Sequence, residues 1–366
     1  MAVSNPSPAL LAAAVQPLQP VQPVEMPQRA CRWQACAVPL ACVALLALAG
    51  PWWSDYLSGL VVKTMILAIF ALSLQLLVGG TGLVSLGHAA FMGLGAYAAV
   101  LSAGNEGGSL PAMLGWALLA SGGYALLVGL LSLRTRGIYF IMVTLAFAQM
   151  AYFVVHDTGI GGGSDGIYLM ARPALGAIDM EIPRVQYYVV LAALVLVYAF
   201  LAGLRQSRFG AALAGIRVNE QRMRAAGFTT YGYKLAAFVL AGMLAGVAGF
   251  LLAVRDAVVN PELLSWHHSG EVLLMVILGG LGSLRGAVLG TVAFVALKEV
   301  LSTHAIVGPM ADHWQLSLGL AIIVLVALLP KGLMGLIGLA GLARQRAGVH
   351  NEVHHNEVHH KEAGHG

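Results

Sequence analysis

Charged side chains are scarce in this chain of 366 residues: Asp, Glu, Lys and Arg together make up 10% of it. Soluble domains carry roughly 25%, so a water-facing globular surface is excluded. There are three cysteines, Cys31, Cys36 and Cys42. Their spacing, with no histidine nearby, fits neither a metal site nor a disulfide framework, and they read as unpaired thiols. No Gly-rich loop is followed by Lys-Ser/Thr, so Gly161-Gly-Gly-Ser-Asp-Gly166 is not a phosphate cradle. No nucleophile–base pair or metal-ligand cluster appears, and nothing points to an enzyme or to nucleic-acid binding. The apolar runs contain no ladder of acidic residues of the kind an ion-coupled pump needs. A solute moved uphill would therefore draw its energy from a separate partner.

What is present in abundance is apolar. Such residues make up 59% of the chain, with 45 glycines and a mean hydropathy of +0.81. Runs of this length must be helical to satisfy their backbone in lipid. The expected fold is all-α: a polytopic transmembrane bundle of about ten spans, at 33–51, 58–78, 83–103, 111–133, 137–156, 186–204, 234–254, 268–283, 286–303 and 314–330. Three regions follow: a disordered extension rich in Pro and Gln (1–30), the membrane domain (31–333) and a His-rich cytoplasmic tail (334–366). The eighth span is short and carries Glu271, so a nine-span arrangement that fuses the eighth and ninth competes.

Charge selects between the two. With ten spans one side holds Arg29, Arg32, Arg134, Arg136, Arg285, Lys331, Arg344, Arg346, Lys361 and six basic residues of a central segment, which is 15 of the 20. The positive-inside rule makes that side, and both termini, cytoplasmic. Lys63 and Lys298 lie near the outer face, where they can snorkel. Lys298 and Glu299 are neighbours in sequence, so they point about 100° apart on a helix and do not pair on one face.

The central segment, Arg205–Lys234, carries Arg205, Arg208, Arg217, Arg222, Arg224 and Lys234 against a single acid, Glu220. Residues 211–226 favour helix, and Gly227 stops it. A helix held between two spans on the cytoplasmic face can pass motion from a soluble partner into the bundle. Inside the membrane the polar positions Ser85, His88, Thr144 and Gln149 are candidates for a translocation path. Gly162, Gly163, Ser164 and Asp165, in the long outer loop 157–185, are hinge or mouth candidates. Gly279 and Gly280, on the inner side, are hinge candidates too. The clusters Gly79-Gly-Thr-Gly82 and Gly279-Gly-Leu-Gly282 are expected to serve close helix packing. His267 and His268 are adjacent and ill placed to ligate one metal. No metal site is expected.

Four stretches carry a resemblance: Leu77–Tyr97, with Gly79-Gly-Thr-Gly-Leu-Val-Ser-Leu-Gly-His88; Arg136–Gln149; Gly161–Gly166; and Ile277-Leu-Gly-Gly-Leu-Gly-Ser-Leu-Arg-Gly286. Over residues 58–330 the chain resembles the permease subunits of branched-chain amino acid ABC transporters, LivM type. The resemblance implies import of Leu, Ile and Val across a bacterial inner membrane. The same kind of permease for urea, amides or aromatic acids is the alternative, and a secondary transporter is the more distant one. It implies as partners a paralogous permease subunit, two cytoplasmic ATPase subunits and an extracytoplasmic solute-binding protein, with lipid around the bundle. ATP would be used by the ATPases, and this chain would bind no cofactor. Many such permeases contact the ATPase through a Glu-Ala-Ala-x-x-x-Gly pattern. Gln221-Arg-Met-Arg-Ala-Ala-Gly227 keeps that spacing, with Gln in place of Glu, neither alanine matched, and Glu220 one position early. The ATPase-coupling residues implied are Arg217, Asn219, Glu220, Gln221, Arg222, Arg224, Ala226 and Gly227.

Overall fold

The computed structural model describes residues 54–104, 108–175, 178–303, 308, 313–329 and 332–335. The expected span 33–51, the three cysteines, the N-terminal extension and the His-rich tail lie outside these residues.

Eleven helices are described. They are α1 (Asp55–Thr81), α2 (His88–Ala103), α3 (Leu110–Ser132), α4 (Ile138–Asp157), α5 (Pro183–Gln206), α6 (Arg208–Val218), α7 (Glu220–Ala225), α8 (Thr230–Asp256), α9 (Trp266–Gly279), α10 (Leu284–Ser302) and α11 (Trp314–Leu328). Two-residue strands β1 (Ile167–Tyr168), β2 (Ala174–Leu175), β3 (Ile178–Asp179) and β4 (Val258–Val259) pair antiparallel as β1–β4 and β2–β3. Among the described residues six helices are long and apolar enough to cross a membrane, and seven if α9 and α10 count as one broken span. The chain is a multi-pass membrane protein.

Local chemistry sets the ends. Ser54 caps α1, its hydroxyl accepting from Leu57 N, and the helix stops at Gly82 in the left-handed region, φ +76°. Residues 82–87 are not helical, so the expected span 83–103 yields a helix of only 16 residues that begins at His88. That is about 24 Å, short of a bilayer's apolar thickness of about 30 Å. The eighth and ninth spans also differ from expectation. α9 has 14 residues, and it meets α10 at 116° across Gly280–Ser283. The pair is neither one fused straight span nor two full crossings. Gly280 and Gly282 take positive φ at this break, and Ser283 caps α10 by accepting from Gly286 N.

The core lies where α8 crosses α1, α2 and α3. Small residues on α8 make the crossing close: a Cβ on Gly95 of α2 would sit 2.6 Å from Gly246 Cα, and one on Gly249 would run into the Met92 carbonyl. Phe70, Phe91, Phe140 and Phe238 fill the space between, all fully buried.

The bundle has two ends. Thr81, Arg134, Arg136, α6, α7 and the α9–α10 break lie at one, the basic end. At the other, the linker after α4 pairs with the linker after α8, register Ile167↔Val259.

Candidate functional site

The central basic segment is not one helix. Asn219 is extended (φ −156°, ψ 99°) and its Oδ1 accepts from Arg222 N, so it ends α6 and starts α7. This corrects the expected single helix over 211–226: an Asx cap, favoured locally over helix continuation, wins at position 219. Gly227 closes the segment with φ +87°. Ala212, Leu213 and Ile216 are buried and seat α6 on the bundle, whereas Val218, Gln221, Arg222, Ala226, Gly227 and Phe228 face outward. Val218 and Phe228, both exposed apolar residues, flank α7 with its exposed Arg222 and Arg224, so this segment offers apolar and basic groups to a partner.

Two residues of this segment bond to neighbouring elements of the bundle. Glu220 accepts from Arg224 (2.5 Å) and Thr230 (3.1 Å) through Oε1, and from Lys234 (2.5 Å) through Oε2. Arg224 Nε also donates to Thr230 Oγ1. Partial burial alone would raise the Glu220 carboxyl. The hydrogen bond and charge of Lys234, with Arg224 and Thr230, outweigh it and hold the group below the ordinary carboxylate range. The acid displaced by one position from the family pattern thus ties α7 to the first turn of α8.

Arg217 is the second. Its Nη1 donates to the Gly79 carbonyl at 2.7 Å, and the same nitrogen lies 3.2 Å from where a Gly282 Cβ would be. The two glycine clusters of the sequence meet here: a Cβ on Gly79 would be 3.2 Å from Gly282 Cα. Buried Gln75 joins them: with its amide assigned so that the oxygen faces the two backbone N–H donors, it accepts from Gly282 N at 2.6 Å and Ser283 N at 2.9 Å. The hinge candidates Gly279 and Gly280 belong to the same node. A Cβ on Gly279 would strike the Gly286 carbonyl, and Gly280 backbone lies 2.6 Å from the Cβ position of Gly332. One arginine of the segment therefore touches the end of α1 and the break between α9 and α10 at once.

The path candidates sit deeper. His88 is fully buried, stacked on Phe70 and edge-on to Phe91. Ser73 Oγ donates to the Phe70 carbonyl (2.6 Å), so its 2.8 Å contact with His88 accepts the Nε2 proton; Nδ1 has no partner among the described residues. Ser85 accepts from Gly87 N, and the Thr144 carbonyl packs where a Gly87 Cβ would be. Ser85, His88 and Thr144 are thus brought together at the start of α2, with at most 1% exposure. In this conformation they are packed, not lining an open lumen. Gln149 lies apart, further along α4, half-buried, with Nε2 unpartnered among the described residues.

Gly162 and Gly163, both at positive φ, link two short turns of 3-10 helix, and Ser164 donates to Asp165. Tyr97 OH donates to the Gly161 carbonyl, and Leu169 N donates to the Ala257 carbonyl beside the β1–β4 pair. The mouth candidates therefore stand over α2, next to the α8–α9 linker.

Sequence reasoning missed one group. His268 and Lys298 both reach Glu271, at 3.1 and 3.3 Å. The signal available was a lone acid on one apolar run and a lone base on the next. Next to them, Tyr56 OH donates to Glu299. His267 turns away, to Ser265 and the Trp266 ring.

The family described as "Branched-chain amino acid transport system / permease component" matches residues 56–329. The chain is 30% identical to the high-affinity branched-chain amino acid transport system permease protein LivM of Salmonella typhimurium and to that of Escherichia coli K12, in each case over 80% of this chain and 74% of the relative. A probable branched-chain amino acid transport permease protein LivM of Methanocaldococcus jannaschii is 26% identical over 32% of this chain and 34% of its own length. No solved structure matches. With the match running from the start of α1 to the end of α11, the chain belongs to the permease components of the branched-chain amino acid transport systems.

Proposed function

We propose that this chain is the membrane-spanning subunit of an ATP-binding cassette importer that moves Leu, Ile and Val across a bacterial inner membrane. The observation that carries the mechanism is the Arg217 contact with Gly79 and Gly282. The basic end is cytoplasmic by the charge rule. There an ATPase subunit docks on the exposed face of α6 and α7, around Val218, Gln221, Arg222 and Phe228. A push on α6 moves Arg217, and Arg217 pulls on the end of α1 and on the α9–α10 break together. The break is held by backbone contacts at glycines, so it changes angle as a hinge, with the helices themselves remaining rigid. A solute-binding protein delivers its cargo at the opposite end, where β1 and β4 join the two linkers. A paralogous permease completes the path. Both ATPases hydrolyse ATP, and this chain holds no cofactor.

The test is uptake into vesicles holding this chain with its neighbouring permease, the ATPases and a loaded binding protein. ATP-dependent uptake of leucine, isoleucine or valine is expected. ATP-dependent uptake of urea, an amide or an aromatic acid instead would overturn the substrate, and uptake without ATP would overturn the machine. Reversing charge with Arg217→Glu and Arg222→Glu should cut uptake at least tenfold while ATP hydrolysis persists; unchanged uptake would overturn the coupling role. Labelling of Asp165→Cys from the cytoplasm alone would overturn the orientation.

A further inference from the structure

The bundle keeps one charged cluster that the coupling node does not use. Glu271 on α9 stands between His268, one turn earlier on the same helix, and Lys298 on α10. The three side chains are each about one third exposed: 34%, 32% and 38%. Lys298 Nζ also lies 5.0 Å from the centre of the Trp314 ring, at the start of α11. On the same side of α9, Val272 and Met275 follow one turn after His268 and Glu271 and are buried, and Ser269 Oγ accepts from Ala89 N at the start of α2. The cluster therefore sits at the margin of the packed face, beside the chain's own core and one third open. It lies between the start of α2 and the far end of α1, where Tyr56 meets Glu299, the neighbour of Lys298.

Three features need a common cause. Ionisable groups in membrane helices avoid lipid and face water or protein. Here they stay about one third open at the edge of the packed face of α9. The contacts are single and long for ion pairs, at 3.1 and 3.3 Å, not the short bidentate kind, so each is readily exchanged. The cluster also offers one acid and one base side by side, with an aromatic face next to the base. That is the complement of an α-amino acid: an ammonium, a carboxylate and an apolar side chain. We infer that Glu271 and Lys298 form the head-group subsite of the translocation path, where Glu271 takes the substrate ammonium, Lys298 takes its carboxylate and Trp314 flanks the aliphatic chain. The inference rests on the amino-acid import reading above and names where this chain would hold the substrate. His268 positions the Glu271 carboxylate. Charge balances at every stage. Empty, the protein pair neutralises itself; loaded, each member exchanges its partner for one end of the zwitterion, and no uncompensated charge enters the membrane.

The test uses the complete transporter in vesicles of phosphatidylglycerol, saturated with loaded binding protein. Glu271→Gln and Lys298→Met should each lower the maximal rate of leucine uptake at least tenfold while ATP hydrolysis stimulated by the binding protein stays within twofold of wild type. Glu299→Gln, one residue away, should leave uptake within twofold. Uptake within twofold of wild type for both site variants would overturn the inference. Where a single variant fails to assemble, the exchanged pair Glu271→Lys with Lys298→Glu decides. Restored assembly without uptake supports a head-group site, because the substrate's orientation is reversed. Restored uptake means a structural ion pair and overturns it. A zwitterionic lipid offers the same chemistry, so the vesicles are also made with phosphatidylethanolamine. Wild-type uptake that needs this lipid, with the need abolished by Glu271→Gln, would assign the site to lipid and overturn the inference. Failure of the wild type to import any branched-chain amino acid is a separate result: the substrate reading falls, and this subsite falls with it.

Discussion

Helices α1 and α8 are equally apolar at sight to α4 and α5, yet they occupy opposite places. The apolar windows of α1 and α8 are 78% and 72% buried within the chain, and those of α4 and α5 are 22% and 33%. Hydrophobicity marks both pairs for the membrane and does not rank them, because lipid is as apolar as a protein core. The two central helices reach their place differently: α1 buries Ile66, Ile69, Phe70, Leu72 and Leu74, whereas α8 relies on small residues at its contacts. α8 brings Gly242, Gly246 and Gly249 against neighbouring helices, so backbones approach. On α4, Ile138, Tyr139, Met142, Met150 and Phe153 project outward. Between α8 and α4 the contrast follows side-chain size, small at the centre and large at the periphery, while α1 is central with large side chains.

The sharpest way to break this contrast is to put one large residue in each place. Gly249→Leu, against the Met92 backbone, should destabilise by about 3 kcal/mol or more, seen as loss of a monodisperse peak and a lower Tm in detergent. Gly203→Leu on α5, which has open space at its Cβ, should lower neither. Next in size is Gln75→Leu on α1. It leaves Gly282 N and Ser283 N without their acceptor and should cost about 2 kcal/mol by the same thermal measurement, together with reduced uptake.

A smaller effect belongs to Glu220, outside the membrane. Its folded pKa is depressed, so its contribution is fully present above the unfolded carboxylate value and fades as pH falls through the depressed one. Protection of the residue 220–230 amides against hydrogen exchange, taken relative to the intrinsic rate at each pH, should therefore be high at neutral pH and fall on acidification below the carboxylate range. Glu220→Gln should exchange fast throughout, and a pH-independent wild type would refute the lock. The smallest effect runs the other way: Gly203→Ala on peripheral α5 should stabilise by about 0.5–1 kcal/mol, whereas Gly246→Ala, with Ser121 Oγ already at its Cβ position, should not.

The expected spans 58–78, 186–204 and 234–254 fall inside α1, α5 and α8, and 111–133 and 137–156 match α3 and α4 but for one residue at one end of each, because long apolar runs bounded by charge admit one structure in lipid. Shorter features escaped for definite reasons. Residues 82–87 are as apolar as a helix, but Gly82 in the left-handed region ends α1, and the segment up to Gly87, which packs on the Thr144 carbonyl of α4, is not helical. The break at 280–283 looked like a boundary between full spans, since periodicity reports length and face but not the angle between two helices. Gly79 and Gly282 were each legible as packing residues, yet nothing in sequence said that they pack on one another through Gln75 and Arg217. Lys298 was read against its neighbour Glu299; its partner is Glu271, 27 residues away across the bend.

The β1–β4 pair sets an order of events during synthesis. Ile167 cannot meet Val259 until 92 further residues have been made and α5 and α8 have both been inserted. At ordinary elongation rates that is roughly 5–20 s. Through that interval the linker after α4 stands with its edge unpaired. The pairing that joins the two linkers is thus also a signal that the second half of the bundle has arrived.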